Sequence, residues 1–540
     1  MTSFDVIVIG SGPSGVHAAD KCAELGKSVQ ILDVGYDDAR TRGLIPPGDF
    51  LALRRSDPNQ SHYFLGNHSN ADDLANVRVG AQLTPPREFI THNVINLAPI
   101  SSSSFSPMQS LALGGLGAGW GAGAYSYNDQ ELGKIGLPTV DMARYYDEVA
   151  AEIGIAAAAD DDISSELARY CPVLPPLELD SNASSAFESY NRRRDAVQAL
   201  GLIVGRAPAA ILSAAIVRSN IKREANPYDD MDFYSDSSRS VYRPRYTLEA
   251  LLMKPNVAYR NNALVKKFVC RADVVEVHYE DVESGQKHTA YGRRLILAAG
   301  AIGTSRIALQ SLELFDRPVP ILSNPYTYLP CVNVGMIGRP AANRRHSLAQ
   351  LCGVFSDQRR AGEKVILSFF SYRSLLLYKL VKEMPMPPKL GLLCARLLLS
   401  SLTVVGVHHA DQRTPRKTML LRGGDDLATL EITYGLEDDE GRWVSESIGK
   451  IRKALRTMGC LALGAISPGN GSSIHYAGAF TITTDRADVL GTTASGQLHS
   501  APSVYIADSA NWRYLPAKGL TLTLMANARR VAAAVCQDIR

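Results

Sequence analysis

Residues 4–9, Phe-Asp-Val-Ile-Val-Ile, form a short apolar run rich in β-branched side chains, the pattern of a strand buried on both faces. A glycine turn follows, and an apolar-periodic stretch from Val16 to Leu25 predicts a helix that Gly26 stops. Ser28–Leu32 reads as a second, parallel strand, so the chain opens on a βαβ unit. The strand–turn–helix pattern recurs at Arg294–Ala299, Gly300–Gly303 and Thr304–Leu312. It recurs again as a strand at Val504–Ala507, a turn through Asn511–Lys518 and a helix from about Leu520 to Cys536.

The segments between have other textures. Residues 156–165 are rich in Ala and Asp and read as a linker, and 171–245 carry Pro and Ser clusters with acidic turns. Residues 256–291 read as antiparallel β, with Val265–Val269 and Val274–His278 alternating and Glu283-Ser-Gly285 as a hairpin turn. Residues 320–460 mix strands with a basic, apolar helical stretch. The pattern predicts a nucleotide-binding domain assembled from separated pieces, with a second domain inserted between them.

A length of 540 residues suits two or three domains or one interleaved pair. With 57 basic and 54 acidic residues the net charge is +3, which disfavours nucleic acid as the main partner. The eight cysteines are scattered without a CxxC pair, as reduced thiols are in a cytoplasmic protein. Met1-Thr2-Ser3 runs straight into the first strand without a basic leader, so no export signal is expected.

Gly10-Ser11-Gly12-Pro13-Ser14-Gly15 lies between the first strand and the first helix. In such a turn the first glycine permits the tight bend, the second lets a pyrophosphate approach the backbone, and the third lets helix pack on strand. The helix start then faces the phosphates with free N–H groups. Asp33 closes the second strand, where a carboxylate can hold a ribose hydroxyl and disfavours a 2′-phosphate. A second glycine-dense stretch, Gly114, Gly115, Gly117, Gly119, Trp120, Gly121 and Gly123, offers a backbone surface on which a flat ring could lie. Because the later strand–turn–helix comes so far downstream, FAD is favoured over the NAD of a compact dehydrogenase domain.

These motifs, with Ala298-Ala299-Gly300-Ala-Ile-Gly303, His475-Tyr-Ala-Gly478, Val504-Tyr-Ile-Ala-Asp508-Ser509-Ala510 and Pro516, resemble the glucose–methanol–choline (GMC) flavoprotein oxidoreductases in order and spacing. The resemblance implies an α/β fold: a Rossmann-type FAD-binding domain with an inserted α+β substrate domain built on an antiparallel sheet, as in p-hydroxybenzoate hydroxylase. The expected FAD-binding pieces are 1–155, 240–312 and 465–540, and the substrate domain is 156–239 with 313–464. The resemblance implies FAD contacts from the two glycine segments, Asp33, Val265, Ala299, Gly300, Asp508, Ser509 and the last helix start at Gly519, Leu520 and Thr521. It also implies that His475 takes the proton of an alcohol whose C–H leaves as hydride, a role a neutral imidazole suits. The last helix would stabilise negative charge on the reduced flavin.

One departure stands out. The family places an Asn or a second His just before a Pro at the start of that helix, and here Gly519 and Leu520 occupy the place. Lys518 beside Gly519, Arg513 or Asn511 is the nominated substitute, and Lys518 and Gly519 join His475 in the expected catalytic set. Of the adjacent pair His408 and His409, ending a strand, at most one faces a substrate. His62, His68 and His92 show no ligand spacing, so no metal is expected.

Residues 373–400 hold two apolar runs with Lys379, Lys382, Lys389 and Arg396, too short to span a bilayer. They suit either a peripheral contact with an anionic membrane surface or a buried helix pair. The leading expectation is oxidation of an alcohol, with a sugar or glycoconjugate hydroxyl favoured. A lyase or isomerase on the same fold, a non-catalytic FAD-binding protein and an NAD dehydrogenase are the alternatives.

Overall fold

A computed structural model describes residues 3–48, 84–218, 221–340, 344–360, 362–371, 385–423 and 428–539, together with Leu53 and Ser56. The chain begins with strand β1 (Ser3–Ile9), helix α1 (Pro13–Glu24) and strand β2 (Val29–Leu32). Helix α2 (Met142–Ile153) is followed by α3 (Ser181–Arg192) and β3 (Leu202–Arg206). Next come β4 (Val257–Arg260), β5 (Ala263–Cys270), β6 (Val275–Asp281), β7 (Lys287–Leu297) and α4 (Gly300–Ser311). Strands β8 (Tyr326–Asn333), β9 (Leu351–Ser356), β10 (Lys364–Ser371) and β11 (Leu402–His408) precede α5 (Asp438–Thr457) and β12 (Cys460–Ala462). Strand β13 (Ala501–Ile506) and helix α6 (Thr521–Asp538) complete it.

A mixed α/β architecture results, organised on two large sheets. In the first, a ten-stranded sheet, β13, β7, β1, β2 and β4 lie side by side and parallel. Val6 and Val8 of β1 pack with α1 and α6, whereas Ile7 and Ile9 pack on the opposite face with β5, β6 and α4. Burial on both faces explains the unbroken apolar run. Strand β7 is long enough to serve two ladders: Lys287–Gly292 pairs antiparallel with β6, and β6 pairs with β5.

The second sheet has six strands in the order β12-β8-β11-β10-β9-β3, all antiparallel. One face carries Leu329, Cys331, Val365, Leu367, Phe369, Val405 and Val407, buried against α3 and α5. Side chains alternate along a strand, so the intervening positions 326, 328, 366, 368, 370, 406 and 408 share the other face.

Three readings of the sequence change. Val257–Arg260 pairs parallel with β2 and belongs to the first sheet rather than to the antiparallel segment that follows it. The α4 helix starts at Gly300, earlier than the Thr304 expected. The Ala/Asp-rich stretch is no linker: Ala156 bridges to Leu174 and Ala209, and Ala156–Ala158 are buried because methyl side chains let these backbones pack closely.

Residues 372–384, which take in the first part of the segment 373–400 considered for membrane contact, lie outside the described residues, as do His62 and His68. The helix Pro388–Leu398 exposes Leu390 and Leu393. Among the described residues no helix is long and apolar enough to cross a membrane.

Candidate functional site

A cavity of about 710 Å³ runs between the two sheets. At one end it is bounded by Gly10–Ser14, Asp33 and Val265, in the middle by the second glycine segment, and at the other end by His475, Gly519–Thr521 and the strands of the second sheet.

The first turn is built by backbone fit. Gly10 has φ +97, and a Cβ there would lie 2.7 Å from the Ala298 carbonyl oxygen. A Cβ on Gly15 would lie 1.9 Å from the Gly10 oxygen, so only glycine lets α1 start this close to β1. Gly12 caps α1 without a side-chain hydrogen bond, which leaves the first N–H groups of the helix for whatever occupies the cavity. The Ser11 hydroxyl donates to Asp33 and accepts from the Gly114 N–H at 2.9 Å, tying both glycine segments to the end of β2. Tyr259 donates to Asp33 at 3.3 Å. Burial without a cation pushes the Asp33 carboxyl up to about 7 despite these donors.

Gly117 of the second segment fits between Pro13 and Pro244, while a Cβ on Gly121 would meet no atom within 4 Å. The Trp120 indole donates to the Tyr242 carbonyl at 2.8 Å and pins the loop. At the end of β13, Asp508 accepts from the Thr304 hydroxyl at 2.6 Å and from the Ala510 N–H at 2.9 Å. Burial raises its carboxyl to about 6.

Helix α6 begins at the cavity wall with no side-chain cap, and Gly519, Leu520 and Thr521 line the wall there. His475 stands opposite in a half-buried position. Its Nδ1 lies 2.9 Å from Asn324 Oδ1. The Asn324 amide nitrogen donates to the carbonyls of His409 at 2.7 Å and Pro516 at 3.0 Å. A flipped amide would set its oxygen against those two oxygens, so Oδ1 faces the ring, Nδ1 carries the proton and Nε2 keeps a lone pair. Burial pulls the imidazole down to about 4, so it is neutral near pH 7. A neutral base with a fixed tautomer, a row of uncapped helix N–H groups and a glycine-lined groove therefore share one cavity.

Of the expected site residues, Gly10, Ser11, Gly12, Pro13, Ser14, Asp33, Gly115, Gly119, Trp120, Gly121, Val265, Ala299, Gly300, Asp508, Ser509, His475, Gly519, Leu520 and Thr521 all line the cavity. Gly15 and Gly114 sit behind its wall, as packing glycines. Lys518 does not reach it: the ammonium is fully buried, 2.7 Å from Glu131 and 2.8 Å from the Glu166 carbonyl. Arg513 donates to the carbonyls of Gly133 and Lys134, and Asn511 to Thr492, so neither faces His475.

His408 does face it, stacked on His475 with ring centroids 5.1 Å apart, while His409 points away to Ser447 at 2.7 Å. Tyr326, Tyr328, Ser368, Phe370, Tyr125 and Asn324 were not foreseen. For the strand residues the signal was present, as two-residue alternation in Tyr326-Thr-Tyr328 and Ile366-Leu-Ser368-Phe-Phe370. Nothing in the sequence marks Asn324.

The chain matches no protein-family model and no curated protein. Among solved structures it superposes on an FAD-dependent oxidoreductase from Chaetomium thermophilum, over 99% of this chain and 99% of that one. The TM-score is 0.58 and the identity 15%, so the likeness is one of fold. The chain therefore shares the fold of that protein.

Proposed function

We propose that this chain is an FAD-dependent oxidoreductase of GMC type that oxidises an alcohol to a carbonyl compound. The observation that carries this is His475, held by Asn324 with its Nε2 lone pair free, in the same cavity as the glycine cradle and the uncapped start of α6. The residues fit the cofactor: Gly12 and Ser14 offer uncapped N–H groups to a pyrophosphate, Asp33 offers a carboxyl group to a ribose, and Gly121 leaves open room at the wall. When bound, the flavin supplies the acceptor for the hydride that leaves the carbinol carbon.

The residues supply the rest. Nε2 of His475 takes the hydroxyl proton as the carbon loses its hydride, so two electrons and two hydrogens leave and a C=O forms. The start of α6 offers N–H groups and a positive helix end to negative charge arising beside it. His408, not Lys518, stands where a second polar group can hold the substrate oxygen, which offsets the missing side chain at Gly519. The FAD-binding part is read as 1–155, 240–312 and 465–540, with 156–239 and 313–464 shaping the substrate side.

The test is the visible spectrum of the purified protein, followed anaerobically as alcohols are added. Flavin bands that bleach, and that stay but no longer bleach in His475→Ala, are the expected result. Bands that no alcohol bleaches would overturn the oxidoreductase reading, and a protein that cannot bind FAD would overturn the cofactor.

A further inference from the structure

The cavity face of the six-stranded sheet is a layer of rings. Tyr326 and His408 are register partners on β8 and β11, and their rings stack with centroids 4.2 Å apart at 23°. His408 stacks in turn on His475 at 25°, which makes a row of three nearly parallel rings ending at the base. Tyr328 meets Tyr326 edge-on at 4.5 Å. Gly406 lies between Tyr328 and Ser368 in register, and a Cβ there would fall 2.6 Å from the Tyr326 hydroxyl. The glycine is thus what lets the Tyr326 ring lie across the sheet. Ile366 and Phe370 of β10, with Tyr125, extend the same lining.

Polar groups on this side are few and largely spoken for. The Tyr125 hydroxyl and the Cys352 thiol are 2.9 Å apart, and Ser368 hydrogen-bonds with both. The charged and carboxamide side chains that line the cavity, Asp33, Gln109, Lys266, Arg306, Gln310 and Asp508, come from outside this sheet, from the parts of the chain around the glycine cradle and α4. On this side the lining offers the imidazole of His408 from the sheet and that of His475 beside it, the hydroxyls of Tyr326, Tyr328, Ser368, Ser472 and Ser473, and otherwise rings and aliphatic groups.

We propose that the alcohol is carried on a planar aromatic group, which packs against Phe370 and the edges of the Tyr326–His408 row while its hydroxyl reaches Nε2 of His475. This rests on the oxidoreductase reading above and narrows its substrate class. Each sugar hydroxyl buried here without a partner would weaken binding roughly 5- to 150-fold. A flat ring can meet Phe370 and the edges of the row in the geometry that aromatic pairs prefer, a gain of about 2- to 12-fold per pair over a saturated ring of similar size.

The experiment separates binding from turnover on the FAD-loaded protein. Acetophenone, cyclohexyl methyl ketone and methyl glucoside are titrated while the flavin spectrum is followed, and 1-phenylethanol, 1-cyclohexylethanol and methyl glucoside are then tested for anaerobic bleaching. The expected result is acetophenone binding at least 5-fold tighter than the saturated ketone, with the preference lost in Phe370→Ala and Tyr326→Leu. Bleaching by 1-phenylethanol should exceed that by the other two. Equal binding of the two ketones, or tighter binding of the glucoside, would overturn the aromatic assignment. Preferred binding of acetophenone with no bleaching by 1-phenylethanol or any other alcohol would support the assignment and overturn the oxidoreductase reading instead.

Discussion

Asn324 holds His475 as the Nδ1–H tautomer across a 2.9 Å hydrogen bond, although the two residues are 151 positions apart in sequence. The carboxamide does not touch the cavity, so its contribution is positional: it decides which ring nitrogen keeps the lone pair that the proposed reaction uses.

Replacing Asn324 with Ala frees the ring to rotate and change tautomer. The expected outcome is a fall in the rate of flavin reduction of about 100-fold with little change in substrate affinity and full flavin content. Asn324→Asp sets a negative charge beside the ring, which favours the imidazolium and moves the acid limb of the rate profile upward. Rates and profiles like those of the parent in both variants would show that Asn324 does not position the base.

The pH dependence of the parent follows from burial. In the proposed reaction His475 acts as a base only when unprotonated, so the rate constant of flavin reduction is expected to be retained above its pKa and lost as pH falls through it. That pKa is lowered to about 4 by burial, and the stacked His408 is held well below the ordinary range as well, so neither ring is charged at pH 6. Stopped-flow reduction should therefore stay near its plateau at pH 6 and fall to half near pH 4. A midpoint near the ordinary 6.5 would mean that water reaches the ring freely.

Much of the first sheet with its glycine turns was legible because its rules are local. The run Phe4–Ile9 reads as a strand buried on both sides, and Val6 and Val8 against Ile7 and Ile9 divide between two cores as that requires. The glycine turns announce backbone approaches so close that an added Cβ would lie 1.9 Å (Gly15) or 2.7 Å (Gly10) from a carbonyl oxygen. The substrate side depends on register instead. Tyr326 meets His408 only because β8 and β11 pair across 82 positions, and Asn324 meets His475 only through the carbonyls of His409 and Pro516. Lys518 was misplaced for the same reason: its neighbour Gly519 lines the cavity, but its own side chain turns to Glu131, a partner far off in the chain.

The glycines separate packing from cofactor binding. Gly15→Ala drives a methyl into the Gly10 carbonyl, so the protein should fail to accumulate in folded form with or without added FAD. Gly121→Ala meets no protein atom within 4 Å, so its denaturation midpoint without flavin should match the parent. If the flavin lies against that loop, the added methyl enters its space and FAD binds at least 10-fold more weakly, read by fluorescence titration. Unchanged affinity would place the ring system elsewhere in the cavity.

Lys518 gives a final contrast between stability and chemistry. The ion pair with Glu131 is almost wholly buried, and the ammonium also donates to the carbonyls of Ser126 and Glu166. Lys518→Met leaves the Glu131 carboxylate in a dry site, still accepting from the Asn128 N–H but without its cation. Breaking one half of such a pair costs about 3–5 kcal/mol, whereas replacing both halves with apolar residues recovers much of it. Chemical denaturation should show a large loss for Lys518→Met and a smaller one for Lys518→Met combined with Glu131→Leu. Flavin reduction per bound flavin should be unchanged in the double variant, because neither side chain reaches the cavity. A loss of rate beyond 10-fold in that folded, flavin-loaded variant would return Lys518 to the catalytic set.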